Sequence, residues 1–509
     1  MFAGDTSGDN QIIGLFPILR LTPPLLAVGL AIAWREVNFA LILAVMTGAL
    51  LVSDGVPGTA IDVFSETLVS QIADNDHASV ILFTVMLGAM ISVMNRSGGT
   101  TAAVQQITRF ADTREKTMGM TWLSGLVVFF DDYANTMLIG GAMRPLYERM
   151  KLSRAKLAFI IDSTAAPVAG LAISTWTAFE IDQVQAGLNA IGSTGNAGSV
   201  FFATIPFRFY PLAMIAMVGL LSFSGRDFGP MRRREQQQLE HTAHEENVLP
   251  DAQQRSVWLA GLPVMVLVGI VVVFWRRIDA YQLLLTASLS AAFTAVTIAT
   301  LSRALTLHEA SKAFVSGIES MIPAIVVLVL AWSISGVCDA EHLDTAGYII
   351  SLVKESLRAE FLPAIAFLVS GAVAFSIGSS FTTMALLLPT FIPLAFSLFG
   401  HGAESADLLD QPAFLGTIGA VLSGAIFGDH CSPISDTTVL SSAAAGCDHL
   451  EHVVTQMPYA VVVAAVSLCC GYLPVGFGYS CWVALPLTVA ATVVVLVLLG
   501  KKPAVHSST

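Results

Sequence analysis

Apolar runs of roughly 20 residues follow one another from Ile12 to Gly500, separated by short polar segments. At about 1.5 Å per residue, a helix of that length crosses the ~30 Å hydrocarbon core of a bilayer. The pattern predicts eleven spans, near 12–33, 37–52, 78–95, 157–178, 198–222, 257–275, 280–301, 317–337, 413–445, 457–477 and 480–500. Two further stretches, near 118–143 and 361–399, are long enough to cross but are split in mid-run by polar residues and glycines. Irregular backbone at membrane depth is tolerated where it lines a cavity or is buried in protein, so both predict re-entrant hairpins that enter and leave on one face. The longest polar segment, Ser224 to Gln254, contains Arg232-Arg233-Arg234 and has no apolar periodicity. It predicts a cytoplasmic linker over 224–256 between a first half, 1–223, and a second half, 257–509.

Composition agrees. The 509 residues are 55% hydrophobic and 12% charged with mean hydropathy +0.72, whereas soluble domains carry about 25% charge. No soluble catalytic block is appended, and membrane lipid is the chain's expected surrounding. The 37 acidic against 25 basic residues, with no basic tail, argue against nucleic acid as a partner. Six cysteines without a CxxC read as small buried hydrophobes. Met1 to Gln11 holds no Lys or Arg and so lacks the charged region of a secretory signal.

The Lys and Arg residues set an orientation. With the N-terminus outside, only Arg276, Arg277, Lys354 and Arg358 face outward, Arg20 and Arg208 lie within spans, and all the others are cytoplasmic. This predicts N-out, C-in, multi-pass insertion in a bacterial inner membrane. Promoting either hairpin to a crossing would invert every later loop.

The halves also match each other. Asn135-Thr136-Met137 in the first hairpin (118–143) corresponds to Thr382-Thr383-Met384 in the second (361–399), each after a polar turn. The next span in each half, 157–178 and 413–445, carries a polar interruption with proline, Ser163-Thr164-Ala165-Ala166-Pro167-Val168 matching Asp429-His430-Cys431-Ser432-Pro433-Ile434. The hairpins open to opposite sides. The fold class predicted is therefore an all-α polytopic membrane protein, an inverted-repeat transporter with two re-entrant hairpins and broken transmembrane helices, its site near the midplane.

A charged group deep in a bilayer costs at least about 2.5–3.5 kcal/mol, so each acid there needs a reason. Asp131, Asp132, Asp162, Asp429 and Asp436 sit in or beside the interruptions with Asn135, Thr136, Ser163, Thr164, Ser379, Ser380, Thr382, Thr383, Ser432, Ser435 and Thr437. These hard oxygen ligands suit a small alkali cation and not zinc or copper, with Asp132, Asp429 and Asp436 as candidate Na+ ligands. A carboxylate neutralised alternately by H+ and Na+ gives exchange, with no cofactor beyond the transported ions. The plainer alternatives are a helix cap at Asp131-Asp132 and hydroxyls bonded to their own backbone. His430 reads equally as a proton relay or a structural hydrogen bond, Trp176 and Phe381 as packing, and Glu180 and Asp182 as solvated at the outer end of their span. An intramembrane enzyme is disfavoured, since Ile426-Phe427-Gly428 before Asp429 misses the Gly-x-Gly-Asp pattern of aspartyl proteases and no second acidic pair accompanies Asp131-Asp132.

Gly428-Asp429-His430-Cys431-Ser432-Pro433-Ile434-Ser435-Asp436-Thr437-Thr438 resembles the signature of the NhaC family of Na+/H+ antiporters, and Phe130-Asp131-Asp132-Tyr133-Ala134-Asn135-Thr136 resembles its first-half motif. The resemblance, over roughly 78–475, implies a secondary transporter of the ion-transporter superfamily. It also implies a homodimer with scaffold and moving parts that works by alternating access. The family includes exchangers of organic substrates, such as malate for lactate with Na+ and H+, so a coupled carrier of a small organic acid or amino acid is the competing expectation. Gly378-Ser379-Ser380-Phe381-Thr382-Thr383-Met384 departs from the family's Gly-Thr-Ser-Trp-Gly-Thr run, lacking its Trp and second Gly.

Overall fold

The computed structural model describes residues 15–34, 36–108, 112–193, 195–240, 256–274, 280–338, 342–345, 348, 351, 358–399, 411–433 and 435–502. Among them the chain is helical throughout, with one isolated bridge between Asp227 and Lys501. The first half contains α1 (Thr22–Trp34), α2 (Val37–Val52), α3 (Pro57–Ala73), α4 (Asn75–Arg96), α5 (Gly99–Thr108) and α6 (Arg114–Val127). It continues with α7 (Asp132–Arg149), α8 (Arg154–Ala169), α9 (Thr175–Asn189), α10 (Ala197–Thr204), α11 (Phe209–Ser224) and α12 (Gly229–Glu240). The second half contains α13 (Trp258–Phe274), α14 (Ala280–Leu301), α15 (Leu307–Cys338), α16 (Leu362–Ile377), α17 (Ser380–Phe399), α18 (Pro412–Cys431), α19 (Asp436–Ala445), α20 (His449–Val466) and α21 (Cys481–Leu499).

Seven helices among the described residues are long and apolar enough to cross a membrane, and the pair Ala197–Phe207 and Phe209–Ser224, bent by 47° at Arg208, supplies an eighth. The protein is a multi-pass membrane protein. Several expected spans depart from single regular crossings. The run at 198–222 is bent, and Asn38–Val52 and Trp258–Phe274 are shorter apolar helices. Both legs of the second hairpin, Ala359–Ile377 and Ser380–Phe399, are of spanning length. The amphipathic α3 was not anticipated.

The repeats share one design: a hairpin (α6–α7; α16–α17) followed by a broken helix (α8–α9; α18–α19). The second hairpin turns at Gly378, whose φ of 74° favours glycine. The repeats interlock, because α9 packs on α17 of the other repeat while α19 packs on α7 and α8. Phe381 on α17 lies 4.7 Å, ring to ring, from both Trp176 and Phe179 on α9, so Trp176 and Phe381 are packing residues. Contact between α16 and α18 depends on close backbone approach at Gly428, where an added Cβ would stand 2.2 Å from the Gly371 carbonyl oxygen.

The expected linker is ordered over its first part. Residues 229–240 form α12, which buries Phe228, Met231 and Glu235. Glu235 accepts hydrogen bonds from the Ser153 amide (2.9 Å) and hydroxyl (2.5 Å) and pairs with Arg114 (2.5 Å). Asp227 pairs with the fully buried Lys156 and accepts from the Tyr459 hydroxyl at 2.8 Å. Anchoring by buried acids leaves no apolar period, which is why the sequence reads as a bare linker. Residues 241–255 lie outside the described set.

Candidate functional site

The first break falls at 170–174, not within Ser163–Val168 as expected. Helix α8 continues through Pro167 to Ala169, and the break is made by the residues that follow. Ser174 caps α9 in a capping box with Thr177: its Oγ accepts from the Trp176 amide at 3.0 Å while Thr177 Oγ1 accepts from the Ser174 amide at 2.9 Å. The same hydroxyls donate to the carbonyls of Ala169 (2.7 Å), the last residue of α8, and of Ala172 (2.8 Å) within the break. Arg208, at the bend before α11, donates to the Gly170 carbonyl and pairs with Glu180 at 2.6 Å. Glu180 and Asp182, expected at a solvated end, are instead buried. Asp182 accepts from the Trp332 indole and from Gln183 at 2.9 Å, beside His77 at 3.7 Å. Both face neighbouring helices, which a single-helix pattern does not reveal.

The second break, at 432–435, lies where the signature puts it. Ser435 caps α19 and lies 3.0 Å from Thr437 Oγ1, which donates to Asp429 Oδ2 at 3.0 Å. Thr438 Oγ1 lies 3.4 Å from the Asp429 backbone carbonyl oxygen and 3.3 Å from Asp162 Oδ2, so one hydroxyl sits between the Asp162 carboxylate and the main chain at the end of α18. Asp162 also accepts from Ser441 Oγ at 3.1 Å and Gln456 Nε2 at 2.5 Å, with His452 Nε2 at 4.0 Å. Its side chain has no exposed surface, and nor have those of Gln456 and His452.

Other candidates are occupied by the architecture. Asn135 Nδ2 lies within hydrogen-bonding range of the carbonyls of Gly125 (2.8 Å), Val128 (3.0 Å) and Thr164 (3.2 Å), closing the first hairpin onto α8. Asp131 accepts from Thr175 at 3.1 Å, tying the tip to α9. Asp132, buried, begins α7. Thr164 and Thr383 donate to backbone carbonyls of their own helical turns (2.8 Å to Ile160; 2.9 Å to Ser379), Thr382 meets Ser379 Oγ at 3.2 Å, and Ser380 reaches the Ala425 carbonyl at 3.2 Å. Thr136, Ser163 and Ser432 are buried. His430 Nδ1 lies 3.0 Å from the Tyr210 hydroxyl. The side chain of Asp436 lies outside the described residues.

Sequence reading missed Ser441, Ser442, His452 and Gln456. The legible signal was a polar series, Ser441, Ser442, His449, His452 and Gln456, running on past the signature into an apolar run. Among the described residues no group of three or more His, Cys, Asp or Glu is placed to hold a metal ion. A cation here would rely on hydroxyl and carbonyl oxygens around single carboxylates.

A sequence profile described as the Na+/H+ antiporter family matches residues 168–477, more than half of the chain. The chain belongs to the Na+/H+ antiporter family. This is the family the signature motif resembled, and the chain is a secondary transporter. The matched region takes in both breaks and the second hairpin and begins after Asp131, Asp132 and Asp162. A Haemophilus influenzae protein described as uncharacterized is 33% identical over 95% of this chain and 96% of its own length. The malate-2H(+)/Na(+)-lactate antiporter of Bacillus subtilis is 32% identical over 34% of each chain. Among solved structures, the Alcanivorax borkumensis YdaH transporter superposes with a TM-score of 0.56 at 15% identity, covering 79% of this chain and 86% of that one, and shares the fold.

Proposed function

We propose that the protein exchanges cytoplasmic Na+ or Li+ for external protons, with Na+ held at Asp429 among the Ser and Thr oxygens of the second break and the proton carried by Asp162. One observation carries the reading: the Asp162 carboxylate of the first repeat is buried against the second repeat's broken helix, bonded by Thr438, Ser441 and the Gln456 amide, with Thr438 also at the Asp429 backbone carbonyl and His452 Nε2 at 4.0 Å. No Lys or Arg is bonded to Asp162 among the described residues, so a mobile cation or proton is left to supply the counter-charge. Arg208, a natural anchor for a carboxylate substrate, is engaged by Glu180 and Gly170. The proposal includes a homodimer in a bacterial inner membrane, N-terminus outside and C-terminus cytoplasmic.

The similarity to a malate-2H(+)/Na(+)-lactate antiporter favours one second reading, coupled exchange of a small organic acid. Proteoliposomes with a trapped pH dye separate the two. Addition of Na+ or Li+ alone dissipates a proton gradient if cations are exchanged. A gradient that collapses only when malate, lactate or an amino acid is added contradicts the cation scheme.

A further inference from the structure

We propose that His449, Ser442 and His452 form a proton relay between Asp162 and the surface, with Gln456 as its positioning residue. The relay rests on the antiport reading above and assigns it a route for the proton.

The string is continuous. His449, half-buried at the start of α20, places Nδ1 3.2 Å from Ser442 Oγ, and Ser442 Oγ lies 2.9 Å from His452 Nδ1. His452 Nε2 is 2.9 Å from Gln456 Oε1 and 4.0 Å from Asp162 Oδ2. The partners assign the tautomers. His449 Nε2 sits 2.6 Å from the Pro433 carbonyl, which only accepts, so Nε2 carries the hydrogen. The Gln456 amide donates to Asp162 Oδ2 and to the His430 carbonyl at 2.9 Å, so its Oε1 accepts from His452 Nε2–H. Both histidines therefore turn a bare Nδ1 toward the same hydroxyl, whose single hydrogen is donated to the Thr438 carbonyl at 2.7 Å.

Proton balance follows from that geometry. A proton taken from water onto His449 Nδ1 passes to Ser442 Oγ as the hydroxyl's own hydrogen swings from the Thr438 carbonyl and moves to His452 Nδ1, which restores the serine. His452, now an imidazolium, gives its Nε2 hydrogen to Asp162 once the 4.0 Å gap closes by about 1 Å to hydrogen-bonding distance. His452 is left neutral with hydrogen on Nδ1, the tautomer that accepts a proton back from Asp162. Traffic in one direction requires its ring to turn once per proton.

The route opens on the face carrying Arg144 and Arg154. Arg154 donates to the Gly446 carbonyl at 3.1 Å, and an added Cβ on Gly446 would meet the Arg144 guanidinium at 2.6 Å. The titratable and charged groups around the string are Asp162 on α8, His430 on α18, Cys447, Asp448 and Glu451 beside His449, and Arg234 on α12, paired with Glu451. On the antiport reading that face belongs with the cytoplasmic loops, so during Na+ extrusion the steps run in reverse: Asp162 gives its proton to His452 Nε2, the Nδ1 hydrogen passes to Ser442, and the serine's own hydrogen leaves through His449.

The test measures proton flux in proteoliposomes from pH 6 to 9 for the full-length protein and for His449→Ala, His452→Gln and Ser442→Ala. Expected are a loss of at least about tenfold in His452→Gln, a smaller loss in His449→Ala, and recovery of His449→Ala on adding imidazole, a diffusible proton carrier that no purely structural defect would respond to. Wild-type flux in both histidine variants overturns the relay, as does a slowed His449→Ala that imidazole fails to restore. If His452→Gln does not fold, imidazole recovery of His449→Ala decides alone. Imidazole-restorable flux that runs with malate or lactate in place of Na+ supports the relay and overturns the cation reading instead.

Discussion

Asp162 and Glu180 lie on the two halves of the same broken helix, both without exposed surface, and they meet opposite surroundings. Glu180 faces the Arg208 guanidinium at 2.6 Å, and the same guanidinium holds the Gly170 carbonyl of the break. Asp162 faces hydroxyls and an amide from the other repeat, with an imidazole at 4.0 Å. A buried acid held by a guanidinium that also grips the break can staple an interrupted helix. A buried acid bonded only by hydroxyls and an amide has no such fixed counter-charge, which leaves that part to a mobile ion on the exchange proposed above.

The comparison breaks most visibly if both acids behave alike on substitution. Asp162→Asn and Asp429→Asn are expected to yield folded protein whose exchange in vesicles falls at least about 100-fold, since neutral isosteres keep the packing and remove the titrating group. Wild-type exchange in either variant removes that acid from the mechanism.

Arg208→Met is expected to act on stability, by about 3–5 kcal/mol, because it leaves Glu180 buried without its partner. Adding Glu180→Gln should recover part of the loss, read as non-additivity of thermal unfolding in detergent. Additive losses would mean that the pair is no staple.

Glu235→Gln sharpens the same contrast at the base of α8, where an acid accepts from the Ser153 amide and hydroxyl at the helix start. It is expected to cost about 1–3 kcal/mol while exchange per folded molecule stays within twofold of wild type, about the noise of such comparisons. A larger fall in specific exchange would give α12 a part in transport. The smallest effect is expected at Ser380→Ala, about 1 kcal/mol or less, because its 3.2 Å bond to the Ala425 carbonyl is one of many holding the hairpin.

What the sequence revealed follows the range of the interaction. Apolar period and length placed both hairpins and both broken helices, because those depend on neighbours within a few turns. The second break was legible since Ser435 caps α19 from within the signature. The first was displaced because Pro167 looks like an interruption, yet α8 runs past it and Ser174 makes the stop. The site's partners were least legible. Gln456 reaches Asp162 across 294 residues, and Arg208 reaches Glu180 across 28 and a bend that hydropathy does not register. Asn135, singled out as a ligand, forms bonds that close the first hairpin.

The most direct test of the central claim, that Na+ binding at Asp429 displaces a proton from Asp162, is proton release from purified protein titrated with Na+ in weakly buffered detergent. One proton displaced per ion predicts release on Na+ addition that Asp162→Asn abolishes, with apparent Na+ affinity rising about tenfold per pH unit until the site is deprotonated and then levelling off. A Na+ affinity flat from pH 6 to 9, with no proton released, would contradict it.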